Sequence, residues 1–363
     1  MAIFLIIISH ITQTLYQKPE YINEITEPLI NLSIASSDIR YIVLQIVSYF
    51  GSIGNTIFFI CSSWFLCNKE ESNKSKLAKM FLDVFIISIL YLVVFLFSSE
   101  KLTMGLIAKS FLPNAFSNNW YISCYILFCF IYPVINKCLK SIDQKEHAKL
   151  NIIFCFIYFI VSFIIPGAYF SNNIIPFIVL FVLISYLNKY CIQYCNNTKA
   201  NIIVAAIGTL GFILLQVFSN YISLLIPSLS EKILLRWRSG NNPFLIIMVI
   251  GIFNIFNNLS INSRLINKIS SCSMYIYLIH ENILFRSLTR VRIEKELFDL
   301  YGFNHIFEII LFLSLILFVV SLIVSIIYKN TISKVTSKVS QILSITIENA
   351  IEKASTFVIE IIK

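Results

Sequence analysis

Ser273-Met-Tyr-Ile-Tyr-Leu-Ile-His280-Glu281-Asn-Ile-Leu-Phe-Arg286 is one of ten apolar runs of lipid-crossing length, and it carries a histidine and a glutamate in its interior. Ionisable side chains at membrane depth are expensive and point to function. The other nine runs lie near 1–16, 41–66, 80–99, 119–136, 150–167, 174–190, 201–226, 243–260 and 306–328, with the quoted one near 269–286. A helical crossing takes roughly 17–25 residues. From Ala2 to Tyr16 a helix rises only about 22 Å at ~1.5 Å per residue, less than the roughly 30 Å of hydrocarbon. That shortfall leads to the expectation of residues upstream of Met1. A signal peptide is the weaker reading, because the run has neither a basic start nor a small-residue cleavage site.

Composition agrees with the runs. The chain is 58% hydrophobic and 13% charged, with a mean hydropathy of +0.81. Soluble domains are near half apolar and about a quarter charged. The expected class is all-α: a polytopic transmembrane bundle of about ten helices over 1–330, with a cytoplasmic amphipathic tail over 331–363. The nine cysteines are scattered through apolar runs without metal-ligand spacing, so they read as small packing residues and no metal is expected.

Lysine and arginine near helix ends set the orientation. With the first helix starting inside, the inner connections hold 15 basic residues and the outer ones 11. Six of the seven arginines fall outside, although lysine outnumbers arginine three to one. Guanidinium forks grip carboxylate and phosphate at two points, so the outer arginines suggest an anion or glycan contact. Snorkelling at helix ends is the alternative.

Parity brings separated residues together without any orientation. His10 lies in the second half of helix one and His280 in the second half of helix nine, and two odd helices run the same way. Both imidazoles therefore share a leaflet. Even helix four opens with Trp120-Tyr121, and the connection after helix seven holds Arg236-Trp237-Arg238, so these face that leaflet too. Imidazoles with aromatic and guanidinium neighbours can take a proton from a hydroxyl and hold a developing oxyanion.

Four segments carry a family resemblance. Asn119-Trp120-Tyr121 through Pro133-Val-Ile-Asn136 resembles the aromatic-opening, Pro-Asn-closing helix of the bacterial acyltransferase family 3. Ser273-Met-Tyr-Ile-Tyr-Leu-Ile-His280 is similar to its late YLIH segment. Gly51-Ser-Ile-Gly54-Asn-Thr-Ile-Phe-Phe-Ile-Cys-Ser-Ser63 resembles its second helix, and Ile6-Ile-Ile-Ser9-His10 the end of its first. The resemblance implies an integral O-acyltransferase of the bacterial cytoplasmic membrane. Such an enzyme moves an acetyl or succinyl group from acyl-CoA, a co-substrate rather than a bound cofactor, to a hydroxyl of a cell-surface or exported polysaccharide.

By that resemblance His10 is the general base. His280, Glu281, Trp120 and Tyr121 would position the acceptor or polarise the carbonyl, and Arg236, Arg238 and Arg286 would contact substrate. The family's arginine eleven positions before the histidine would precede Met1. Its paired arginines before helix three are replaced by Lys74, Lys76 and Lys79, which keep charge for donor phosphates and lose the fork. Surface or lipid-linked glycan and membrane lipid are the expected partners, with homo-oligomerisation an option and no nucleic acid. A glycan polymerase or flippase and a small-solute transporter are the competing classes. The first would carry larger outer loops, and the second an inverted repeat that the halves do not display.

Other charged groups read as structural. His147 is expected on a solvated basic face, Asp83 paired with loop lysines, and His305 and Glu308 beside helix ten. Pro133 should bend its helix. In the tail, Val335, Val339, Ile342, Ile351, Phe357, Val358 and Ile361 recur at helical steps, which fits a helix lying on the inner membrane surface or pairing with a partner.

Overall fold

A computed structural model describes residues 2–16, 39–98, 101–116, 118–161, 174–225 and 242–362. It is 87% helical, and no strand occurs among the described residues. The helices that matter here are α1 (Ala2–Tyr16), α2 (Ile39–Ser48), α3 (Phe50–Leu66), α4 (Lys74–Leu96), α5 (Trp120–Ser141), α6 (Ile174–Tyr190), α7 (Thr198–Leu225), α8 (Pro243–Asn257), α9 (Ser273–His280), α10 (Val291–Tyr301), α11 (Ile306–Asn330) and α12 (Ile332–Ile362).

Among the described residues, five helices are long and apolar enough to cross a membrane: Ile39–Leu66, Lys74–Leu96, Trp120–Ser141, Thr198–Ser219 and Phe303–Asn330. Three further apolar helices, Ala2–Leu15, Ile174–Tyr190 and Pro243–Asn257, are shorter. The all-helical class expected from sequence is observed, while among the described residues length and hydropathy support five crossings and not the expected ten or so. The expected uninterrupted crossing over 269–286 is broken. His280 ends α9, and the Asn282 carboxamide accepts from Leu284 N at 3.0 Å to start a new turn. A non-helical joint at this depth is tolerable only where protein encloses it, and Glu281 and Asn282 are both buried.

Lipid, not water, explains the surface pattern of α11. Leu311, Phe312, Leu315, Ile316, Val319, Val320 and Ile323 face outward, whereas Ser314, Ser321 and Ser325 are turned into the bundle. Small residues inside and large apolar residues outside are what close packing in hydrocarbon favours. The first part of α12 repeats this. Ser333, Thr336 and Ser340 are buried and Val335, Val339 and Ile342 exposed. The polar edge of the expected amphipathic tail therefore seats against α4, with Thr336 Oγ1 donating to Asp83 Oδ1 at 2.7 Å and Lys74 paired with Glu348.

Glycines let α1 lie tight against α3. A Cβ on Gly54 would stand 2.6 Å from the Ala2 carbonyl oxygen, and one on Gly51 would stand 2.6 Å from Ser9 Oγ. Ser9 Oγ and Gln13 Nε2 then both donate to the Ser48 carbonyl, at 2.5 and 2.9 Å. These contacts fix the rotation of α1 and so the direction of His10. Inside α5, the Asn136 amide donates to the carbonyls of Leu66 and Lys69 at 3.0 and 2.7 Å, satisfying the end of α3.

The solvated face expected for His147 is replaced by burial. Its Nε2 meets the Val182 carbonyl at 3.1 Å and its ring packs on Tyr186 and Tyr190. An imidazole body is apolar enough to cover two tyrosines, and neighbouring lysines do not force it into water.

Candidate active site

His10 and His280, 270 positions apart in sequence, meet at 3.2 Å between Nδ1 and Nε2. The rings lie 5.3 Å apart between centroids with a 30° tilt. A second contact is shorter: His10 Nδ1 stands 2.9 Å from Glu281 Oε2. The hydrogen positions follow from the partners. His280 Nδ1 lies 2.7 Å from the Ile276 carbonyl oxygen, which can only accept, so that nitrogen carries the proton. Neutral His280 then offers a lone pair at Nε2, and Glu281 offers a carboxylate. His10 Nδ1–H faces both acceptors, so neutral His10 holds its own lone pair at Nε2.

Exposure separates the two histidines. The His280 side chain is fully buried with both ring nitrogens engaged, and His10 keeps 16% of its side chain accessible. His10 is therefore the imidazole a substrate can reach, and His280 supports it from behind.

Two guanidiniums hold the carboxylate that orients His10. Arg290 donates to Glu281 Oε2 at 2.8 Å and Arg286 to Oε1. They come from one wide π-helical turn, Arg286–Arg290, that follows the broken helix. Beyond Arg290 stands Glu294, its Oε1 at 3.4 Å from Arg290 Nε, and Thr14, one turn past His10, donates to Glu294 Oε2. His10, Glu281, Arg290, Glu294 and Thr14 thus form a closed circuit joining α1 to the segment after α9. Glu294 is outside the apolar crossings, and burial pushes its carboxyl up to about 7 against the pull of Arg290. Arg290 and Glu294 were not singled out as a site in the sequence. Their signal is spacing: Arg286, Arg290 and Glu294 recur every fourth residue and share one face.

The nitrogens of His10 and His280 and the Glu281 carboxylate lie within 4.8 Å of one another, a separation that could hold a metal ion. The charge balance opposes this, because an ion would share Glu281 with two guanidiniums. The donor set fits an imidazole–carboxylate pair better than a cation cage.

A cavity of about 240 Å³ opens between α1, α3, α4, α5 and α9, with Ile6, Phe58, Lys76, Met80, Tyr121 and Tyr277 in its wall. Tyr277 packs edge-on to His280 at 5.8 Å and against Tyr121 at 6.5 Å. The cavity therefore runs from the lysine-bearing end of α4 to the ring next to the histidines. Trp120 lies against Tyr121 at 5.7 Å, one ring further from the imidazoles.

The three lysines have separated roles. Lys76 is exposed at the cavity mouth. Lys79 Nζ is occupied by Asp83, Tyr275 and Ser333 at 2.6, 2.8 and 2.7 Å, and Lys74 by Glu348. Arg236 and Arg238 lie outside the described residues. His305 and Glu308 form an exposed pair at 3.9 Å.

Fold and site together define a membrane-embedded helical protein built around a histidine–carboxylate pair, with a cavity one aromatic ring away from His280. The chain belongs to the acyltransferase family 3: a family profile described as an acyltransferase domain matches residues 1–329. No curated protein and no solved structure matches it.

Proposed function

We propose that this membrane acyltransferase transfers a short acyl group, acetyl or succinyl, from acyl-CoA to a hydroxyl of a cell-surface or exported polysaccharide at the bacterial cytoplasmic membrane. The observation that carries the reading is the engagement of His10 Nδ1 with Glu281, at 2.9 Å, which leaves Nε2 as the basic nitrogen.

In the reaction the acceptor O–H approaches His10 Nε2. As its oxygen adds to the thioester carbonyl carbon, the proton passes to the imidazole, and Glu281 offsets the charge that forms. The C–O bond is made, the C–S bond breaks, and the imidazolium returns the proton to the departing thiolate. Neutral imidazole suits this cycle because its ordinary pKa near 6.5 lies close to working pH. Arg286 and Arg290 hold the Glu281 carboxylate in place and aim it at His10. Lys76, exposed at the cavity wall, would meet the donor phosphates, and the apolar lining suits the arm that follows them.

The test is to incubate membranes containing the protein with radiolabelled acetyl-CoA and polysaccharide from the source cells. The expected result is base-labile label on the glycan. Glycan without label, with either acetyl-CoA or succinyl-CoA, removes the reading.

A further inference from the structure

Resting on the acyltransferase reading, we propose that the Tyr121 hydroxyl is the hydrogen-bond donor that holds the thioester carbonyl oxygen while His10 deprotonates the acceptor. Tyr121 lines the cavity, and its hydroxyl is enclosed without a hydrogen-bond partner. A buried, unsatisfied hydroxyl costs on the order of 1–3 kcal/mol. A thioester carbonyl brought into the cavity supplies the missing acceptor. The ring is fixed on several sides, by Trp120 at 5.7 Å, Phe177 at 5.4 Å and Tyr277 at 6.5 Å, so the hydroxyl is held in place before substrate arrives.

Position along the cavity supports the assignment. Lys76, Ser62 and Ser273 supply polar groups to the wall, and Tyr277 links Tyr121 to His280. A donor with its phosphates at Lys76 and its arm along Phe58, Met80 and Ile122 presents its thioester beside Tyr121. When the acceptor oxygen adds, the carbonyl oxygen gains the negative charge, and the phenol O–H is a neutral donor for it in a site shielded from water. When the C–S bond breaks, that charge moves to sulfur, which takes its proton from His10. The phenol proton never leaves, so Tyr121 acts as a donor and not as an acid.

The experiment compares wild type with Tyr121→Phe, using the full chain, acetyl-CoA and the same polysaccharide. Loss of one such donor should lower kcat about a hundredfold, with KM for acetyl-CoA little changed. The melting temperature should stay level or rise, because the variant removes a buried hydroxyl that has no partner in the resting protein. Unchanged kcat in the variant overturns the assignment alone. A drop in kcat together with a lower melting temperature also overturns it, since that is the mark of a structural hydroxyl. A wild type that transfers no label overturns both this assignment and the acyltransfer reading beneath it.

Discussion

Glu281→Gln isolates the carboxylate from everything else at the site. The substitution keeps the size of the side chain and removes the charge shared by His10, Arg286 and Arg290. Two effects follow and can be read apart. Arg290 is buried and loses its anionic partner on this side, and removing one member of a buried ion network costs about 3–5 kcal/mol of stability. The second effect is tautomeric. A carboxamide can turn its NH₂ toward His10 Nδ1, and the imidazole proton then moves to Nε2, where a base needs a lone pair. Loss of a positioned base slows a reaction about 10²–10⁴-fold, or about 3–5 kcal/mol in the barrier at ~1.4 kcal/mol per decade. The assay is labelled acetyl transfer per folded molecule, with the folded fraction taken from a melting curve in detergent. Glu281→Gln protein that folds and transfers at the wild-type rate refutes the argument that this carboxylate sets the tautomer of His10.

Three further outcomes follow from the packing and charge. Gly54→Ala places a Cβ 2.6 Å from the Ala2 carbonyl, so α1 must shift; about 1–3 kcal/mol of stability should be lost together with transfer rate, checked by melting temperature and kcat. Lys76→Ala should raise KM for acetyl-CoA without destabilising the protein, whereas Lys79→Ala should lower the melting temperature by unpairing buried Asp83. The raised carboxyl of Glu294 makes stability pH-dependent: the folded protein keeps this proton up to about 7, while the unfolded chain releases it near 4.5. That contribution is full below about 4.5 and is lost as pH rises to 7, on the order of 3 kcal/mol at ~1.4 kcal/mol per unit. Melting curves from pH 5 to pH 8 should fall less steeply for Glu294→Gln than for wild type.

Much of the site was legible because topology constrains it. Two histidines in the later halves of two odd-numbered helices must share a leaflet, and His10 and His280 do meet. Apolar runs likewise located the helices. What sequence could not supply was side-chain partnership. Glu281 read as a substrate contact until the end of α9 turned it toward His10, and nothing in an apolar run announces that its helix stops at residue 280. Lys74, Lys76 and Lys79 looked equivalent in a basic stretch. Helical phase gives Lys79 to Asp83 four residues on, leaves Lys76 at the cavity, and brings Lys74 to a glutamate 274 residues away. The tail reads in sequence as an amphipathic helix on the membrane surface or against a partner, and its apolar repeat does not say which edge meets the bundle. Next to lipid its large apolar residues face outward, and Ser333, Thr336 and Ser340 make the contact with the bundle.

The most direct test of His10 as the base is the transfer rate of purified His10→Gln protein against wild type, with saturating acetyl-CoA and polysaccharide and equal folded fractions. A fall of about 10²–10⁴-fold, with acetyl-CoA binding retained, is the predicted result. Transfer at the wild-type rate would contradict it.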